Sequence, residues 1–382
     1  MKEANLLSIA EAEAWTGECL EFLRSLVEIE SPTRHAAANV AAADLLADAL
    51  VALGGHVERI PAPGLGEHLR AHISGLERNG PPLLVLGHMD TVHPVGTLER
   101  NPFAISGGRV TGPGIYDMKG GLAVAIVALR MLAANGRRPA TDLSLLITCD
   151  EEHGSPHSWE TIEAEARASR AALVLEPSAR GGAVKSRRKG VSAYEFTVKG
   201  RPAHAGIEPE AGASAVHEIA RQICRIYELA DADEGTTISV GVVEGGTAEN
   251  VVASSARCTV DVRFWTSAEA ERVDEALRVL KPVDPVCELH LEGGVNRGPL
   301  ERTEASGRMF AAARRLAAQL GFVIREEATG GGSDGNITAA AGCPTLDGLG
   351  PDGGGAHTLQ EHILLDDVPR RIGLMAALFE SI

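Results

Sequence analysis

Aromatic side chains are scarce in this chain, at 3% of 382 residues. So few leave little with which to stack unpaired bases. Positive charge is short as well: 36 Lys and Arg stand against 52 Asp and Glu, a net charge of −16. That balance repels phosphate backbones and anionic lipid and argues against nucleic acid or a membrane as partner. The six cysteines (Cys19, Cys149, Cys224, Cys258, Cys287 and Cys343) are scattered, with no C-x-x-C pair. They read as buried free thiols in a reducing compartment, not as a disulfide framework. Long hydrophobic runs are missing too: the longest, residues 122–129, falls far short of the ~20 residues of a membrane helix. Residues 1–15 hold one Lys, a short apolar stretch and then acids, without the n-region and h-region of a secretory signal. A cytoplasmic location is expected.

What is present is a soluble globular composition, 44% hydrophobic and 23% charged. The length exceeds the ~250–300 residues at which one core stops growing, so two or more domains are expected. Apolar residues at helical spacing, such as Leu20, Leu23, Leu26 and Val27, predict helices over 11–54, closed by Gly54 and Gly55. Strands at 83–86, 143–148 and 172–175 then alternate with a helix at 120–134. This pattern predicts an α/β fold: a mostly parallel mixed sheet with helices on both faces, its ligands lying beyond the carboxyl ends of the strands. From Gly190 the order changes to strand 193–199, helix 213–229, strands 237–243 and 256–264, helix 268–280 and strand 286–291. That is a ferredoxin-like β-α-β-β-α-β unit inserted into the first domain. Signals of the first domain resume at 304–320 and 345–349, and an apolar helix lies near 372–379. The expected domains are 1–189 with 297–382, and 190–296.

Several chemistry-bearing residues fall at the predicted strand ends. His88 and Asp90, two apart after the first strong strand, place an imidazole beside a carboxylate. Asp117 lies in Gly114-Ile-Tyr-Asp117-Met-Lys-Gly-Gly121, just ahead of the apolar helix. Asp150, Glu151 and Glu152 follow the next strand, and three consecutive acids repel one another unless a cation sits among them. The 172–175 strand delivers Glu176 to the same edge, and His357 follows a glycine-rich loop. Taken singly, each is also explained by a turn, a helix cap or an exposed loop. Their convergence decides: His88, Asp117, Glu152, Glu176 and His357 make a ligand set for two zinc-like ions, with one carboxylate bridging. Glu151, beside a ligand but not itself one, is the candidate base.

These motifs, with Leu175-Glu176-Pro177 and Ala356-His357, resemble in order and spacing the di-zinc metallopeptidases that include glutamate carboxypeptidase, aminoacylase, acetylornithine deacetylase and succinyl-diaminopimelate desuccinylase. The resemblance covers nearly the whole chain. It implies that Asp117 bridges two zinc ions, that His88 and Glu176 complete one site, and that Glu152 and His357 complete the other. Cobalt or manganese would suit the same ligands. It further implies that Asp90 orients His88, that Glu151 is the general base, and that His204, in the loop Arg201-Pro-Ala-His204-Ala-Gly206, stabilises the oxyanion. Asn250, Arg263, Gly331, Gly332 and Ser333 resemble positions holding a substrate carboxylate, with Arg297 a weaker match. The sequence departs from many relatives at Met118, where they carry a second acid. The inserted unit would be a lid through which a homodimer forms, each active site borrowing His204 from its partner.

The resemblance through Thr329-Gly-Gly-Gly-Ser-Asp334 and Gly112-Pro-Gly-Ile115 points to an amide hydrolase acting on N-acyl amino acids or dipeptides, of the glutamate-carboxypeptidase kind, releasing a C-terminal acidic amino acid. The alternatives are an N-acyl amino acid deacylase, of the acetylornithine deacetylase or aminoacylase type, and a non-catalytic metal-binding scaffold. Arg263 could clamp a carboxylate with two parallel bonds. The basic run Lys185, Arg187, Arg188 and Lys189 could meet a side-chain acid or simply be a solvated turn.

Overall fold

A computed structural model describes residues 6–77 and 80–382; the first five residues of the segment read above for a signal lie outside the described residues. The chain divides into two units. One takes the chain through Ser186, Arg302–Thr329 and Ser333–Ile382, the other Arg187–Glu301 and Gly330–Gly332.

The first unit is built on a six-stranded sheet. Its strands are β1 (His56–Ala62), β2 (Gly66–Ile73), β3 (Leu83–His88), β4 (Leu143–Thr148), β5 (Ala171–Val174) and a short strand, Thr345–Leu346, in the order β1-β2-β4-β3-β5-Thr345–Leu346. β3 pairs in parallel with both β4 and β5, and Thr345–Leu346 pairs in parallel with β5. Every residue of β3, β4 and β5 is buried. This is why these strands read as unbroken apolar runs such as Leu-Leu-Val-Leu and not as alternating ones. The Gly120–Ala134 helix buries nearly all its residues against the sheet and its neighbours, as a helix apolar on every face must.

Sequence periodicity did not anticipate the antiparallel edge. β1 and β2 form a hairpin that joins β4 antiparallel, but they alternate weakly and carry Pro61, His68 and Arg70, so they show no hydrophobic period of two. A second small sheet also went unread. Gly353–Gly354 and His362–Leu364 pair as a hairpin, and His362–Leu364 pairs with Arg109–Thr111. This sheet holds the 355–361 loop beside the 112–119 loop, and both carry candidate ligands.

In the second unit the strands are β6 (Gly190–Lys199), β7 (Thr237–Gly245), β8 (Ser255–Phe264) and β9 (Glu288–Arg297), with helices Ala215–Tyr227 and Ser267–Arg278 between them. The elements follow as β-α-β-β-α-β, and the antiparallel sheet has the order β7-β8-β6-β9. Phe196, Val198, Val260, Val262 and Phe264 pack with Ile219, Ile226, Val273 and Leu277 from the two helices. The unit reaches beyond 190–296 at both ends because its base is paired: Arg188 and Leu300 exchange both backbone hydrogen bonds, at 2.9 and 3.1 Å. Arg187 also lies over the Trp265 ring at 4.7 Å. All six cysteines are free thiols. Five are buried, and Cys224 corrects the expectation by being exposed on its helix. Among the described residues no helix is long and apolar enough to cross a membrane.

One close approach positions the edge that carries the candidate ligands. A Cβ on Gly121, in the first turn of its helix, would stand 2.0 Å from the backbone oxygen of Leu175, the residue before Glu176. Gly121→Ala therefore has to push the helix from that strand end. It is expected to destabilise by ~1–3 kcal/mol, read as a lower denaturant midpoint, with weaker metal retention because Asp117 and Glu176 sit on the displaced segments.

Candidate active site

His88 ends β3, the Asp150–Glu152 turn follows β4, and Glu176 follows β5. Because the three strands are parallel, their carboxyl ends lie side by side, where an open α/β sheet places its ligands. Asp117 comes from the loop before the buried helix and His357 from the tip of the small hairpin. The Asp117–Met118 peptide bond is cis. His357 adopts a left-handed backbone with φ 62°, a conformation uncommon for residues other than glycine.

Asp117 lies between the two histidines. Its Oδ1 is 3.2 Å from His88 Nε2 and its Oδ2 is 3.5 Å from His357 Nε2. Glu176 Oε1 is 3.6 Å from His88 Nε2, and Glu152 Oε2 is 3.3 Å from His357 Nε2. The five predicted ligands are thus together, in the two groups expected around Asp117. Glu151 joins them: one of its carboxylate oxygens lies within 4.8 Å of donor atoms of both His88 and Glu176.

The donor chemistry fits a cation. His88 Nδ1 is 2.9 Å from the backbone oxygen of Asp90, which only accepts, so Nδ1 carries the hydrogen. In the neutral ring Nε2 is then a lone pair aimed at two carboxylates, an arrangement that needs a proton or a metal ion between acceptors. Glu152 Oε1 is buried and has no hydrogen-bond partner, as suits a metal ligand.

Electrostatics point the same way. Burial would lower the pKa of His88, but its bonds to Asp117, Asp90 and Glu176 outweigh this and hold it well above the ordinary value. Asp117 and Glu152 raise His357 to about 10. Burial would raise Asp117, yet the two histidines keep it well below the usual carboxylate range. For Glu152 burial prevails and its pKa rises, against the bond to His357.

Asp90 does more than was expected of it. Its carboxylate is 3.4 Å from His88 Nδ1, farther than its own backbone oxygen. It accepts from the Thr33 hydroxyl at 2.7 Å and from the backbone N–H groups of Glu151 and Glu152, both at 3.3 Å. It therefore fixes the turn carrying the base candidate and a ligand. Asp150 is structural, accepting from His157 N, Ser158 N and Ser158 Oγ. Three adjacent acids thus divide into one framework residue and two site residues.

The remaining predicted residues are divided between the two units. In the second unit His204 is exposed, and its loop runs antiparallel to the loop of Asn250: His204 pairs with Val251, and Ala205 N donates to Asn250 O at 2.9 Å. Arg263, at the end of β8, directs its guanidinium fork at Asp261, with bonds of 2.8 and 2.9 Å. Arg188 is buried and donates to the carbonyls of Gly331 and Gly332, both at 3.1 Å, while Lys189 is held by Gly235 O and Arg297 is buried. In the first unit Ser333 is buried, caps the Asp334–Ala340 helix and donates to Asp347 Oδ2 at 2.7 Å. Two residues went unread in the sequence, Thr33 beneath Asp90 and Glu361 beneath Asp117. Neither belongs to a motif, and only the position of Glu361 four residues after His357 hints at it.

A metal ion taking the nitrogens of His88 and His357 would have to displace protons from them. His357, raised to about 10, would carry a proton at pH 7 without metal, and His88 is also held above its ordinary value, whereas a ligand imidazole must be neutral. Zinc added to chelator-stripped protein at pH 7 should release at least about one proton per chain, and apparent affinity should rise with pH. Calorimetry in two buffers of different ionisation enthalpy measures the release, and His357→Gln should lower it.

Residues 84–381 match the description of peptidase family M20/M25/M40. The chain is 32% identical over 366 residues to carboxypeptidase G2 of Pseudomonas sp. (strain RS-16), covering 94% of this chain and 88% of that protein. It is 29% identical to succinyl-diaminopimelate desuccinylase of Delftia acidovorans, covering 91% and 94%. Among solved structures, aminopeptidase PepT of Bacillus cereus superposes with a TM-score of 0.80 at 23% identity, covering 96% of this chain and 98% of that one. A strand-end cluster of two histidines and acidic residues on this fold, within a chain matched almost throughout, places the protein: it belongs to peptidase family M20/M25/M40, whose members depend on metal, and it is a hydrolase.

Proposed function

We propose that the chain is a di-zinc amide hydrolase that releases a C-terminal acidic amino acid from N-acyl conjugates, in the manner of a glutamate carboxypeptidase. The observation that carries the two-ion reading is Asp117, whose two oxygens face two different histidines. Identity of 32% to carboxypeptidase G2 supports the substrate class. A second reading, a deacylase or desuccinylase, draws on the similarity to the desuccinylases of Delftia acidovorans and Alkalilimnicola ehrlichii.

His88, Asp117, Glu152, Glu176 and His357 would hold the ions, zinc by the nature of the donors, with cobalt or manganese able to substitute. When bound, such ions lower the pKa of water and polarise the scissile carbonyl. Glu151 takes the proton of the attacking water and passes it to the leaving nitrogen as the carbon–nitrogen bond breaks, so one carboxylate serves as base and then acid. Its assignment as base and not ligand rests on its place beside a candidate ligand and on the resemblance. Asp90 is a positioning residue, acting through His88 and the 151–152 turn. His204 donates a hydrogen bond to the oxyanion. Asn250, Arg263 and the Gly331–Gly332–Ser333 loop receive the substrate carboxylate. Arg263 would then exchange Asp261 for the substrate, a like-for-like replacement of one carboxylate by another. The second unit acts as lid and dimer interface, and the enzyme works in the cytoplasm.

Hydrolysis of a panel of N-acyl amino acids by the zinc-loaded protein tests the substrate class. N-acyl glutamate and aspartate should lead the panel, and a preference for N-acetylornithine or N-succinyl-diaminopimelate would establish the second reading instead. Glu151→Gln should retain two zinc ions per chain by metal analysis while kcat falls by about 10²–10⁴.

A mixing experiment reads the source of His204. Glu151→Ala and His204→Ala chains should each be inactive. Random subunit exchange makes about half the dimers mixed, with one working site apiece if His204 crosses to the partner, so about one quarter of wild-type activity should return. No recovery despite demonstrated exchange would rule out the borrowed histidine and leave His204 as a residue acting within its own chain or a structural one.

A further inference from the structure

Glu361 has no exposure at all, and its carboxylate is saturated. Oε1 accepts from the backbone N–H groups of Tyr116 and Asp117, both at 2.9 Å. Oε2 accepts from Gly114 N at 2.8 Å and from His93 Nε2 at 2.5 Å. These four donors come from two loops, the one that follows β3 past His88 and the one that carries Asp117. Glu361 itself lies in the loop of His357. One buried side chain therefore ties together three segments, each of which holds a candidate ligand.

We propose that Glu361, with His93 as its fourth donor, is a positioning clamp for the metal centre: it sets the backbone from which Asp117 reaches two histidines at once. The inference rests on the metal-centre reading above. Asp117 has to offer one oxygen to each side, at 3.2 and 3.5 Å, so a shift of its backbone disturbs both contacts together. Without an acceptor at Glu361, the three backbone N–H groups of the loop would lose their partner, and an unpaired N–H away from water is strongly unfavourable. The loop would turn toward water to avoid that. Glutamine cannot substitute, because its amide nitrogen would face donors where an oxygen is required. His93 is the adjustable member: it is 6% exposed and contributes one of the four bonds, so its removal should weaken the clamp without dismantling it.

The test uses the full chain and zinc alone as probe. Zinc affinity is measured by competition with a chromophoric chelator, and thermal unfolding is followed with and without zinc. Glu361→Gln should weaken at least one zinc site about 10–100-fold and shrink the zinc-induced rise in Tm. A merely structural role would lower both Tm values in parallel and leave the affinity unchanged. His93→Phe should show a smaller loss in the same direction, and His93→Gln, which can still donate, should restore most of it. If Glu361→Gln does not fold, the two His93 variants decide. Affinities within twofold of wild type in every folded variant that lacks one of these bonds would overturn the clamp alone. A wild-type chain that takes up no zinc would overturn the metal-centre reading and the clamp with it.

Discussion

Like charge crowded into one place is the constraint that the rest of this molecule answers. Asp117, Glu151, Glu152 and Glu176 meet around two imidazoles, and two like charges ~4 Å apart near a protein surface repel by about 4 kcal/mol. The cluster holds only if cations enter it and if the backbone beneath cannot move. Asp90 and Glu361 meet the second condition alike: each is a buried carboxylate that does not touch the cluster's centre but accepts N–H groups from a loop carrying candidate ligands. Adding two more anions behind an anionic site is tolerable because each is fully hydrogen-bonded.

Lys119 belongs to the same balance. It is buried beneath the ligand loop, donates to Ile29 O at 2.7 Å, and is lowered to about 8, chiefly by burial. Glu361, Glu30 and Asp90 oppose that fall, so the lysine and the framework acids stabilise one another's charge. The positive charge nearest the framework is thus spent on holding loops and is not presented to solvent, in keeping with a protein of net charge −16.

How much of this was legible depends on the sequence distance between cause and effect. β3, β4 and the 120–134 helix declare themselves because burial on all sides leaves apolar runs, and the candidate ligands His88, Glu152 and Glu176 declare themselves because they follow strands closely, with Asp117 just ahead of the helix. The partners of the ligands do not. Thr33 meets Asp90 across 57 positions and Glu361 meets Gly114 across 247, and nothing local in either segment records the pairing. Arg263 shows the reverse: a residue chosen for its fork has that fork filled by Asp261 two positions away, a pairing the strand itself permits because i and i+2 share a face. The β1–β2 hairpin shows a further reason: β1 is exposed along most of its length and β2 buries a histidine among its apolar residues, so neither carries the contrast on which period-two reading relies.

The reciprocal bridge between Arg188 and Leu300 bears on how the chain reaches this state. Thr345–Leu346 has to find β5 across an intervening stretch that contains the whole insertion, and closing a flexible loop of that size is entropically unfavourable. Once the insertion has folded on its own core, its two ends are neighbours, and a span of roughly 110 residues behaves as a turn of a few, which recovers about 3 kcal/mol of closure entropy for the first unit. The order of events is thereby biased: the inserted unit, with its antiparallel and largely local pairings, becomes the staple that brings the two halves of the parallel sheet within reach of each other.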